Sequence, residues 1–191
     1  MTIVIFWLKW PTDQIKNLSG DGSNFNVLAN ALAERGVHAL ALDLRGYGYS
    51  ANVIYSQDII KKTAKDLNTY QSEMLRITSY WESDLSSAYL YLQTKIGVGQ
   101  PISVVATGCT APQSVFLAEK LRIRSFVMIS PIFTHLEQEK YKNLIDIPVF
   151  FLSSVHHANS YLIAKELYEW NGDSGSTMQV IKGNSFGSKT A

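Results

Sequence analysis

Apolar and polar positions alternate between two periods along this chain. Thr2 to Trp10 is a short apolar run rich in β-branched and aromatic residues, the pattern of a strand covered on both faces. Residues 11–22 are polar and punctuated by Pro11, Gly20 and Gly22, which predicts a loop. Ser23 then stands where a helix cap would be, before Phe25, Val27, Leu28, Ala31 and Leu32, and Gly36 closes that helix. His38 to Asp43 predicts a second strand. Residues 51–79 are the least regular part, a polar stretch that reads as an insertion or partly helical excursion. Trp81, Leu85, Ala88, Tyr89, Leu92 and Ile96 recur at helical spacing, with Gly97 and Gly99 as stops. Further strands are predicted at Ile102–Ala106, Ser125–Ser130, Pro148–Ser153 and Met178–Ile181, separated by helical segments. That alternation implies right-handed crossovers and a parallel sheet with helices on both faces.

Length and composition narrow the picture. The 191 residues suit one domain, 1–191, with 51–79 as an excursion within it. A hydrophobic share of 46% against 17% charged excludes a disordered chain. The net charge of +1 provides no electrostatic footprint for nucleic acid. No apolar run is long enough to span a bilayer. A single cysteine forbids an internal disulfide, which suits a reducing compartment and leads us to expect a cytoplasmic protein.

Leu42-Asp43-Leu44-Arg45-Gly46-Tyr47-Gly48-Tyr49-Ser50 resembles the Asp-x-Arg-Gly-x-Gly-x-Ser signature of α/β hydrolases. Upstream, Gly20 to Phe25 and Leu28 to Gly36 resemble that superfamily's first crossover helix. Downstream, the turn at Cys109 and the pair Ser130-Pro131 follow in matching order. The resemblance implies a three-layer α/β-hydrolase fold with a mostly parallel sheet of about six strands. It would be trimmed at both ends, because relatives usually begin with extra antiparallel strands and finish with a long helix. A nucleotide-binding loop fits less well, since Gly46 and Gly48 lack the third glycine that such loops need.

Fold does not supply function, so the catalytic stations were read singly. A hydrolase of this kind holds its nucleophile on a sharp strand-to-helix turn with small neighbours. Thr107-Gly108-Cys109-Thr110-Ala111 resembles that turn, with Cys109 where serine usually stands, as in the dienelactone hydrolases; a count from Ile102 places Gly108 there instead. A thiol at a helix start is expected to have its thiolate stabilised; the structural alternative is a buried cysteine that packs as a small hydrophobe. The histidine station reads Asn184, or Phe186 in a neighbouring alignment, and neither can shuttle a proton. The acid station reads Val155 to Asn159, and the oxyanion stretch Leu8 to Pro11 has no glycine.

Two function classes follow. The first is a hydrolase-fold protein without hydrolase chemistry, acting as a binding or structural subunit. The second is an active ester or lactone hydrolase that uses Cys109 with His156 or His157 as a rearranged base. A small-molecule receptor that keeps the pocket is a third reading. No cofactor is implied, and two adjacent histidines fall short of the ligands that zinc needs. Asp43 and Arg45 read as holders of their own turn. Tyr80, Trp81, Tyr89 and Tyr91 read as helix packing that leaves room for a protein-contact face. A protein partner or a second copy is expected to cover the trimmed sheet edges at Leu40 and Leu42 or near Val180.

Overall fold

The computed structural model describes residues 2–7, 25–144, 146–171 and 175–182. Ser23, the oxyanion stretch Leu8 to Pro11, and Asn184 and Phe186 lie outside them. The chain forms an α/β sheet of parallel strands: β1 (Thr2–Trp7), β2 (His38–Asp43), β3 (Ile102–Thr107), β4 (Ile123–Ile129), β5 (Val149–Ser154) and β6 (Thr177–Ile181). Their order is β2-β1-β3-β4-β5-β6, and every described pairing is parallel. The chain first moves outward from β1 to β2, then crosses back to build the other half from β3 onward. β1 thus connects onward to β2 on one side and β3 to β4 on the other, and ligands collect at such a switch in open α/β sheets.

The helices are α1 (Asn26–Ala33), α2 (Gln57–Thr63), α3 (Leu67–Thr78), α4 (Trp81–Ile96), α5 (Ala111–Lys120), α6 (His135–Lys142) and α7 (Ala158–Asn171). The excursion 51–79 is more regular than its sequence pattern suggests. Ser56 accepts from the Ile59 N–H to start α2, and Asp66 accepts from the Thr69 N–H to start α3. Each side chain satisfies a backbone donor that the first helical turn leaves unpaired. Gly97, with φ +95°, ends α4 where the sequence places its stop.

Two apolar layers sandwich the sheet. Val104, Ala106, Phe126, Met128 and Phe151 face α4, α5 and α7 through Leu85, Leu92, Val115, Leu117, Ile163 and Leu167. On the opposite face, Val105, Ile129 and Leu152 pack with Phe25, and the helical members of that cluster all come from α1. Val127, Phe150 and Ile181 on this face are only half-buried. Thus one face is closed by a full helical layer, while the other is closed by α1 alone among the described residues. Among the described residues, β2 and β6 are the two edges. Leu40 and Leu42 are half-buried at the first, and Val180 is exposed at the second.

Candidate functional site

The turn that follows β3 is built to be sharp. Thr110 is fully buried; its hydroxyl accepts from the Thr107 N–H at 2.9 Å and donates to the Thr107 carbonyl at 2.8 Å. One side chain thus reverses the backbone within three residues, and Pro112 then fits the first turn of α5, where no N–H is needed. The positive φ that such a turn demands, +55°, falls on Gly108. Only glycine adopts that conformation without steric cost. The Gly108 carbonyl is further held by the Ile132 N–H at 3.0 Å, which ties the turn to the segment after β4. Of the two registers open in the sequence, the residue in the strained position is the glycine.

Cys109 stands one residue on, with its side chain turned into the layer that packs beneath α4 and α5. The residue keeps some exposed surface, yet burial of the sulfur pushes the thiol up to about 12, and the carboxylate of Glu137 adds to the rise. The expected stabilisation of a thiolate by the helix start is therefore overridden by desolvation. Tyr47, buried and itself raised chiefly by burial, is the other ionisable group close to Cys109. With an ordinary value near 9.0 and a folded value of about 12, the folded chain is expected to react with a thiol reagent at pH 8 roughly a thousandfold more slowly than in urea. Equal rates, measured by mass spectrometry, would show the thiol to be accessible and ionised.

The two histidines after β5 diverge. His156 is exposed; its backbone N–H meets the Ser154 hydroxyl at 3.3 Å and its ring Nε2 lies 3.1 Å from the Lys182 carbonyl. That contact joins the loop after β5 to the end of β6. His157 is half-buried and serves as the entry to α7: its carbonyl accepts from the Tyr161 N–H at 2.9 Å and from the Ser160 hydroxyl at 3.2 Å. The Glu137 carboxylate acts on the Cys109 thiol, and the thiol in turn adds to the rise at Tyr47.

At the ends of β4 and β5 lie Ser130 and Ser153, to which the sequence reading assigned no catalytic role. Ser130 is fully buried, is the one non-glycine residue with positive φ (+46°) among those described, and its Oγ has no hydrogen-bond partner there. Ser153 is equally buried and its Oγ is likewise unpartnered. Their backbones are adjacent, since the Ser130 N–H donates to the Leu152 carbonyl at 2.7 Å.

The Asp43–Ser50 signature is a brace. The Asp43 carboxylate accepts from the Tyr49 N–H at 3.0 Å, and Gly48, with φ +46°, lies so close that a Cβ would collide with that carboxylate. Arg45 reaches Asp84 in α4 at 2.7 Å and lies over the rings of Tyr55 and Tyr80 at 5.0 and 4.3 Å. The Trp81 indole N–H donates to the Arg45 carbonyl at 3.1 Å. Trp81 and Tyr89 are thus core residues, whereas Tyr80 and Tyr91 keep a third and a half of their surface exposed.

Beside this brace is a cavity of about 680 Å³. It is lined by Leu40 and Leu42 of β2, Asp84, Ala88 and Tyr91 of α4, and by Arg45 and Tyr55. It was not legible in sequence because it depends on β2 being an edge. Among the described residues, no group of three or more His, Cys, Asp or Glu side chains is placed to hold a metal ion. None of the described helices is long and apolar enough to cross a membrane. Compared with known proteins, the chain matches no family model and no curated protein.

Proposed function

We propose that this chain is an α/β-hydrolase-like domain that has lost hydrolase chemistry and acts as a binding or structural subunit. The carrying observation is the turn after β3. Its strained, positive-φ position, the place from which a nucleophile would be presented, is occupied by Gly108. A glycine has no side chain with which to attack a carbonyl. Burial pushes the neighbouring thiol up to about 12, which weakens the nearest substitute as a nucleophile. The Asp43–Ser50 signature supports the family reading as far as its geometry goes, and in this chain it joins β2 to α4.

A binding role draws on what the described residues leave partly uncovered. The sheet face beneath α1 keeps Val127, Phe150 and Ile181 half-buried, and Leu40 and Leu42 of β2 line the cavity. Apolar surface left open in this way usually marks a contact site. The test is hydrolysis of an activated acetate ester at pH 7–8. Turnover is expected to stay within about twofold of a Cys109→Ala control, because a thiol raised by burial supplies no thiolate nucleophile at this pH. Turnover tenfold or more above that control would overturn the proposal and install Cys109 as nucleophile.

A further inference from the structure

We propose that Ser130 and Ser153 hold one buried water molecule between β4 and β5, and that this water fixes the turn by which β4 leaves the sheet. The two residues are neighbours. Ile129 and Leu152 form the last rung of the β4–β5 ladder, and the Ser130 N–H continues it by donating to the Leu152 carbonyl at 2.7 Å. Both serines are fully buried, and neither Oγ has a hydrogen-bond partner among the described residues. The same sheet provides the comparison. Ser103 of β3 and Ser125 of β4 are register partners, and their hydroxyls bond directly at 2.7 Å. Side-by-side serines thus satisfy one another where the backbone is regular. Ser130 departs from that geometry: its φ of +46° breaks the extended conformation, and the direct pairing is not made.

The chemistry of the pair selects the occupant. A buried hydroxyl without a partner is costly, and here two stand side by side. Neighbouring strands lie about 4.8 Å apart, which lets two such hydroxyls share one atom at about 2.8 Å from each. That atom must both donate and accept. It belongs to a neutral molecule, since the two serines carry no charge to balance an ion in an interior of low dielectric. It is also small, because neither serine is exposed and neither lines the cavity beside β2. Water meets each of these terms, and buried waters bind polar groups that the protein leaves unsatisfied. The bridge reaches beyond its own strands. Pro131 and Ile132 follow Ser130, and the Ile132 N–H holds the Gly108 carbonyl at 3.0 Å. A water that ties Ser130 to β5 therefore steadies the turn after β3 as well.

The test joins a crystal structure of the whole chain, at a resolution that shows ordered waters, to thermal unfolding of alanine variants. The expected density is one water within about 3 Å of both hydroxyl oxygens. Removing either hydroxyl strands the other, so Ser130→Ala and Ser153→Ala are each expected to melt about 2–4 °C lower than the parent chain. The double variant leaves no hydroxyl to satisfy, and its loss is expected to be smaller than the sum of the two single losses. Ester turnover does not enter these measurements, so the water stands or falls apart from the loss of hydrolase chemistry. Hydroxyls that were dry and unsatisfied would give the opposite sign, because their removal relieves a cost. A well-ordered crystal with no water at the pair, hydroxyls bonded directly to each other, single variants that melt higher, or losses that simply add would each overturn the proposal.

Discussion

Replacing Gly48 with alanine is expected to lower the melting temperature by about 6–12 °C, a loss of about 3 kcal/mol for a chain of this size. Two effects combine. The φ of +46° is unfavourable for any residue with a Cβ, and that Cβ would collide with the carboxylate of Asp43. The carboxylate cannot retreat without releasing the Tyr49 N–H, to which it is bonded at 3.0 Å. Gly36 provides the internal comparison. Its φ is +73°, yet an added Cβ meets nothing within 4 Å, so Gly36→Ala is expected to cost only about 1 kcal/mol from backbone strain alone. Thermal unfolding of the two variants side by side separates strain from collision. Equal losses would mean that the Asp43 brace does not hold Gly48 as described.

Trp81→Ala is expected to cost about 3–5 kcal/mol, in the range of truncating a buried aromatic side chain. Trp81 is 5% exposed, lies 6.0 Å from the Tyr47 ring centroid and donates its indole N–H to the Arg45 carbonyl. It therefore joins α4 to the loop that ends β2. Trp81→Phe keeps most of the packing but leaves the carbonyl without its donor, an expected loss of about 1–2 kcal/mol. Denaturant unfolding monitored by circular dichroism distinguishes the two. A Phe variant as damaged as the Ala variant would place the weight on the hydrogen bond instead of the packing.

The parts of the fold that could be read in sequence are those where a single element carries its own signal. The apolar run at Phe126 to Ile129 and the helical repeat from Trp81 to Ile96 each declare their period, and Gly97 declares a stop. The excursion 51–79 hid two helices because α2 and α3 are mostly polar; their starts at Ser56 and Asp66 were present but lacked a strong apolar repeat behind them. The site was less legible for a physical reason. Gly108 and Cys109 are both small, so either fits the turn by size, and only the backbone angle separates them. The thiol's environment depends on Tyr47 and Glu137, which lie far from it in sequence. The Arg45–Asp84 pair spans 39 residues, and no local pattern announces it.

Trapping of a covalent acyl intermediate tests the central claim most directly. The folded chain is mixed with an excess of activated ester at pH 7–8, quenched in acid within seconds, and its intact mass recorded. With glycine at the strained position and burial raising the adjacent thiol, the expected spectrum is the unmodified chain of 21.4 kDa, as in a Cys109→Ala control. A stoichiometric acyl adduct on Cys109 or on a serine, formed by the folded chain and lost on unfolding, would contradict the account and return this domain to the working hydrolases.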